Sequence, residues 1–347
     1  MTLLVRKALA PGWRVPLFLS LMKRTLTAGM AAGVLASALL PATAFAAAAD
    51  GAFPRQSIKV VLPFPPGSGT DGTARVMGNE IAAAIGQPVV IENKAGANGF
   101  LAAEAVAKAD PDGYTLLFTS NTHIANKYLF KKLPYDPIQD FKSVSLLKEA
   151  PLVVVVGANS SFKTLADLTQ KVKAEPGRVS FASGNSSSRV AAELYSQSIG
   201  SPMLYVPYKG NPAAITDLLG GRVDVMFSDT TSVMSSIKSG RLRALAVTSQ
   251  TRLNGLKEVP TTVELGLPQV ILGSWLAVLA PARTPDALVA KLNAIFLAAL
   301  HTDSVLKNFV ANDSEPKGST PAELDRFMNA EATKWSDIIT KAGIQPE

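Results

Sequence analysis

From residue 58 onward, short apolar runs alternate with longer stretches in which apolar residues recur every three or four positions. Runs rich in β-branched residues predict strands, and the longer spacing predicts helices. The first block reads as strand 58–62, helix 70–85, strand 88–92, helix 100–108 and strand 114–118. Pro111-Asp112-Gly113 marks a turn inside it, and His123 opens a further helix. The continuous apolar run 151–156 opens a second block and suits a strand covered on both faces. Then come helix 164–174, strand 179–181, helix 188–198, strand 203–206, helix 213–219, strand 223–227, helix 231–238 and strand 242–247. Residues 271–279 are apolar and placed to cross back to the first block. Three helices, 285–300, 304–311 and 321–342, have no strands of their own and are expected to cover that block. The alternation predicts an α/β fold of two lobes, with mostly parallel central sheets flanked by helices and two crossover segments. Lobe 1 takes 47–150 plus 272–347, lobe 2 takes 151–271, and a cleft lies between them.

The first 46 residues have a different character. They hold Arg6, Lys7, Arg14, Lys23 and Arg24 and no acid, then an apolar run over 26–40, then Ala44-Phe45-Ala46. A basic start, an apolar middle and a small-x-small exit read as a secretory signal peptide, 1–46, cut after Ala46. The start is Met1 or Met22. An apolar run of about 15 residues is short of the ~20 that span a bilayer. The expected location is the periplasm.

Removing that segment changes the charge. The chain's +7 falls to +2, because 29 basic residues then face 27 acidic ones. No basic run with interleaved aromatics remains, so a nucleic-acid partner is not expected. There is no cysteine, which excludes disulfides, thiolate metal sites and cysteine nucleophiles, and the two histidines, His123 and His301, are too few for a multi-histidine metal site. No cofactor is expected.

Two loops carry candidate chemistry. Gly67-Ser68-Gly69-Thr70-Asp71-Gly72 follows a strand, opens a helix and has Glu92 twenty residues beyond it, which matches the dinucleotide fingerprint on paper. Pro63, Pro65 and Pro66 crowd a turn that should be tight, and an exported protein meets little free nucleotide, so that reading is set aside. What survives is a cradle of backbone N–H groups at a helix N-terminus, suited to a carboxylate or phosphate. The plain alternative is a strand–helix turn with Asp71 helping to cap the helix; Asp71 would repel an anion and is given a supporting role. The run Ser183-Gly184-Asn185-Ser186-Ser187-Ser188 repeats the arrangement in the second block, with many donors and no charge. Two such N-termini facing across a cleft would grip the two ends of a short dianion. Valine at Gly69 or Gly184 is expected to destroy affinity without unfolding the protein.

Further stretches bear a resemblance. They are Ile58-Lys59-Val60-Val61-Leu62-Pro63-Phe64, Glu92-Asn93-Lys94-Ala95-Gly96-Ala97-Asn98-Gly99, residues 107–117, Lys132-Leu133-Pro134-Tyr135-Asp136-Pro137, Val206-Pro207-Tyr208-Lys209-Gly210, residues 217–224 and residues 242–248. With the Gly67–Asp71 loop they resemble, in order, the Bug family of extracytoplasmic solute receptors, which serve tripartite tricarboxylate transporters (TctC-like). The resemblance implies a type II periplasmic binding protein that closes like a flytrap on a small carboxylate: dicarboxylate, tricarboxylate, acidic amino acid or aromatic acid. It implies binding without catalysis and delivery to membrane permease subunits, with a sensor protein as the alternative partner; the default expectation for oligomeric state is a monomer. Carried over, the ligand wall is Phe64, Gly67, Ser68, Gly69, Thr70, Asp71, Thr119, Ser120, Asn121, Ser183, Gly184, Asn185, Ser186, Ser187, Ser188, Tyr208, Lys209, Asp229 and Thr230.

Where the family often has histidine after the second loop, Arg189 stands here. Its head either reaches the cleft as a bidentate carboxylate contact or lies on the helix surface. Lys209 faces either ligand or solvent. Trp275 and Trp335 read as packing residues, and His123 as a hydrogen-bonded structural histidine. A secreted Ser/His hydrolase would need His123 as its base, and no G-x-S-x-G elbow accompanies it.

Overall fold

The computed structural model describes residues 53–347; the segment read as a signal peptide lies outside the described residues. Strands β1 (Ile58–Leu62), β2 (Val89–Asn93) and β3 (Thr115–Ser120) are parallel, with β1 in the middle. Helices α1 (Gly69–Ile85) and α2 (Phe100–Ala107) join them, and α3 (Thr122–Leu129) follows β3. α1 begins where the Ser68 hydroxyl accepts the N–H of Asp71, and it ends at Gly86, whose φ of 67° suits glycine.

The next strand, β4 (Phe141–Gly157), is 17 residues long and serves both lobes. Its first part pairs with β9 (Gly273–Pro281) and the short β10 (Glu315–Pro316). Its last part pairs with β7 (Val225–Asp229) and β8 (Leu242–Val247). Beyond β7 lie β5 (Ser180–Ser183) and β6 (Leu204–Pro207), parallel to one another and to β7 in the manner of β1–β3. The second block's helices are α4 (Leu165–Ala174), α5 (Ser186–Ile199), α6 (Asn211–Leu219) and α7 (Thr230–Lys238). At the end of the chain, α8 (Asp286–Leu300) and α9 (Asp303–Ala311) pack on α1, while α10 (Pro321–Lys341) packs on α3 and β4, so all three return to the first block.

The expectation of mostly parallel sheets is corrected to mixed sheets. The strand–helix–strand units are parallel, but every pairing of β4 is antiparallel, and β3 also meets β9 antiparallel. The reason is geometric: β4 leaves the first lobe, β9 returns to it, and adjacent strands doing so run in opposite directions. The strand also starts ten residues before the apolar run that marks it in the sequence. Two register shifts against β9, between Ser143 and Ser145 and between Leu146 and Lys148, break the alternation that would have announced it.

At the crossing point the Thr248 hydroxyl accepts the N–H of Leu152 (3.0 Å) and donates to the carbonyl of Leu272 (2.6 Å), tying both passages together. Nearby, Glu331 is buried and accepts both indole N–H groups, Trp275 at 2.7 Å and Trp335 at 2.9 Å, while its other oxygen takes Lys334. Truncating it strands two buried donors. Glu331→Ala is expected to cost roughly 3 kcal/mol in urea denaturation, and Glu331→Gln, which keeps an acceptor oxygen, clearly less.

Candidate functional site

Both glycine-rich loops end strands and start helices, and their helices point their N-termini at one place. In the first loop Asp71 is turned inward. Its carboxylate accepts the N–H of Gly67 (2.9 Å), the Arg75 guanidinium (2.9 and 3.1 Å) and the Asn93 amide (3.0 Å). Burial pushes its pKa up, but the bonds from Arg75, Gly67 and Asn93 outweigh that and hold it below the ordinary carboxylate value. Asp71 is therefore a brace that fixes the loop, and Gly67 (φ 78°) is part of the same brace.

In the second loop Asn185 caps α5, its side-chain oxygen accepting the N–H of Ser188 at 2.9 Å. Ser183 donates to the carbonyl of Asn185, Ser188 to that of Ala182, and Ser186 to Asn126 on α3 at 3.2 Å. Asp229 caps α7, taking the N–H and hydroxyl of Ser232 and the amide of Asn211 at 2.7 Å.

The lobes meet over these loops. A Cβ on Gly69 would lie 2.7 Å from the Cβ of Thr231, and one on Gly210 would lie 2.5 Å from Cγ of Pro65. Between the lobes are two adjacent chambers that share Phe64, Gly184 and Asn185 as lining. The inner one, about 30 Å³, is lined by Ser68, Gly69, Thr70, Ser120, Asn121, Ser187 and Asp229 among the expected residues. The outer one, about 260 Å³, is lined by Tyr208 and Lys209 with Pro63, Asn98, Gly99 and Thr122. Thr119 and Thr230 are fully buried behind the wall, and Ser183, Ser186 and Ser188 spend their hydroxyls inside the protein. Both loops line the small inner chamber, and the second loop lines the outer one as well.

The structure also brings in residues that sequence reasoning missed. Asn211, Ser232, Ser274, Trp275 and, above all, Lys148 line the inner chamber. The first turns of α1, α5, α6 and α7 thus all contribute to it, and their aligned N–H groups favour an anion. Lys148 stands on β4 at a register shift, buried, with Nζ 2.5 Å from the Thr231 hydroxyl and 3.4 Å from that of Ser314. Burial pulls its pKa down to about 8, against the attraction of Asp229. The only sequence signal was a charge inside an apolar strand whose first half had no readable pattern.

Comparison with known proteins gives this geometry a lineage. Residues 73–344 match the Tripartite tricarboxylate transporter family receptor, TctC. The chain belongs to this receptor family. Protein BugT of Bordetella pertussis is 36% identical over 295 residues, 84% of this chain and 90% of BugT. The periplasmic binding protein BugD shares the fold with a TM-score of 0.81 at 29% identity, over 85% of this chain and all of BugD. MatC of Rhodopseudomonas palustris, solved with bound malate, has a TM-score of 0.78 at 33% identity, over 83% of this chain and all of MatC. The two-lobed periplasmic binding fold is thereby established.

Arg189 departs from the ligand wall of this receptor. Its guanidinium lies 4.8 Å from the Tyr205 ring and bonds Glu347 at 2.6 Å, and it lines neither chamber. Lys209 is exposed at the outer rim. His123 is buried between Tyr135 and Phe141, with Nε2 3.0 Å from the Pro137 carbonyl. Burial lowers its pKa from 6.5 to about 4, so it is neutral at pH 7 and walled off from the chambers.

Two predictions follow from these positions. The unfolded chain protonates His123 near pH 6.5 and the folded chain only near 4. Stability is therefore full above 6.5 and declines as pH falls toward 4, by about 3 kcal/mol from this residue; urea midpoints should show that slope, and His123→Phe should flatten it. The two loop glycines should also behave differently. A side chain on Gly69 meets the other lobe, so Gly69→Val should leave thermal stability near wild type and weaken binding. One on Gly184 meets the Asn211 backbone nitrogen at 2.3 Å in its own lobe, so Gly184→Val should lower stability as well as affinity.

Proposed function

We propose that this receptor is exported to the periplasm by a signal peptide over 1–46 and captures a small carboxylate between its lobes. The lobes are taken as 47–150 with 272–347, and 151–271. The reading rests on one observation above the rest: four helix N-termini and a buried lysine converge on a chamber with room for a single small group. That group is a carboxylate, and the ligand's remainder occupies the outer chamber beside Phe64, Tyr208 and Lys209. The malate held by MatC supports the same class. Binding shifts the population from an open form, in which both loops are exposed, to a closed form in which Gly69 meets Thr231. The closed form is then read by the membrane subunits of a tripartite transporter. A hydrolytic role is disfavoured by His123, which is neutral, hydrogen-bonded to Pro137, makes no hydrogen bond to a serine among the described residues and lines neither chamber.

A thermal-shift panel of mono-, di-, tri- and aromatic carboxylates on ligand-stripped protein tests this. A ligand at 100 times its Kd adds about 2.7 kcal/mol of stability. A clear shift with one class identifies the cargo, and no shift with any acid overturns the carboxylate reading.

A further inference from the structure

Several charged groups in the neighbourhood of the loops and of β10 have a partner of opposite sign. Asp71 has Arg75, and Glu149 and Glu315 share Lys317. Lys148 is different. It is 6% exposed, yet the groups around its ammonium are two hydroxyls, of Thr231 and Ser314, and the face of Phe309 with its centroid 5.8 Å away. No carboxylate lies within ion-pair distance of it among the described residues. Asp229 is the nearest acid acting on it, and that carboxylate is already occupied by Ser232 and Asn211. Asp313, close by in sequence to Ser314, is bound to the backbone N–H of Gly255. A buried ammonium without a counter-ion is costly.

A second group in the same chamber is also unsatisfied. Asn121 is fully buried, and its amide nitrogen donates to the carbonyl of Gly273 at 3.0 Å, which fixes the amide's orientation. Its oxygen Oδ1 then has no partner. The inner chamber is therefore lined by a lysine without a counter-ion and by an asparagine whose buried oxygen has no partner, around a space on the order of one or two waters.

We infer that Lys148 is the counter-ion of the ligand's inner carboxylate and sets the receptor's selectivity for anions over their neutral analogues. This deepens the carboxylate reading and rests on it. The helix N-termini orient the carboxylate through hydrogen bonds, and Lys148 supplies the full charge they lack. Lys148 extends from the shared strand β4 to Thr231 on α7, so an anion beside it joins the crossing strand to the second lobe at one point.

The test compares wild type with Lys148→Met and Lys148→Arg. Titration calorimetry uses the tightest acid from the carboxylate panel and the neutral amide of the same acid. The expected result is a roughly 30-fold or greater loss of affinity for the acid in Lys148→Met, with Lys148→Arg retaining more. The amide should bind weakly and almost equally to wild type and Lys148→Met. Without ligand, Lys148→Met should melt no lower than wild type, because it removes an unpaired buried charge. Wild-type affinity should fall as pH rises from 7 through 9, as the ammonium loses its proton, and Lys148→Met should show no such fall. Acid affinity within about threefold of wild type in Lys148→Met overturns the inference. So does a lower melting temperature without ligand combined with an unchanged pH profile, which makes Lys148 a structural tether. Failure of wild type to bind any acid overturns the carboxylate reading itself, before the variants are compared.

Discussion

One strand belongs to both halves of the molecule, and the rest of the architecture is arranged around it. β4 lends its first part to the sheet of β9 and β10 and its last part to the sheet of β7 and β8. A continuous strand resists bending except where its ladder is irregular, and the register shifts against β9 supply such places. The returning strand has to run beside it in the opposite sense, which is why a fold assembled from parallel strand–helix–strand units is antiparallel at its centre. Thr248 joins the two passages at their crossing. A hydroxyl that both accepts and donates can hold two strands without fixing the angle between the lobes they enter.

The same arrangement collects positive potential in one spot. Strands β1, β5, β6 and β7 are each followed by a helix whose first turn lines the inner chamber, so short polar loops become rows of N–H donors. The acids nearest the loops are engaged by hydrogen bonds where they stand. Asp71 is folded back onto Arg75, Gly67 and Asn93, and Asp229 serves as the cap of α7. What remains uncompensated is a lysine and a set of helix ends, all on a chamber too small for more than one functional group.

Much of this was legible in the sequence. The strand–helix alternation placed most elements within a residue or two, because Gly, Pro and capping residues punctuate them: Ser68, Asn185 and Asp229 each cap the helix that the pattern announces. The two glycine loops stood out for the same reason. The first half of β4 did not, since its bulges destroy the period of two that betrays a strand. Lys148 was hidden with it, because a lysine in an unpatterned segment reads as surface. Asn211 was hidden for another reason: only tertiary structure brings the start of α6 against Asn185 and Asp229. The division of labour within the second loop was equally invisible. Ser183, Ser186, Ser187 and Ser188 are chemically alike, and only the fold decides which hydroxyls are consumed internally.

Directly over the inner chamber the lobes touch through small or polar groups: Gly69 against Thr231, Gly210 against Pro65, and hydrogen bonds from Ser186 to Asn126 and from Lys148 to Thr231. Contacts between small groups bury little apolar surface. A Lys148 left unpaired in the closed cleft opposes closure. On the proposed reading, an anion removes that penalty and adds hydrogen bonds from both lobes at once. A ligand moves a two-state equilibrium only by its differential affinity for the two states. Here that difference is concentrated in a chamber whose donors come from both lobes, so a carboxylate held by one lobe alone would bind without closing the protein.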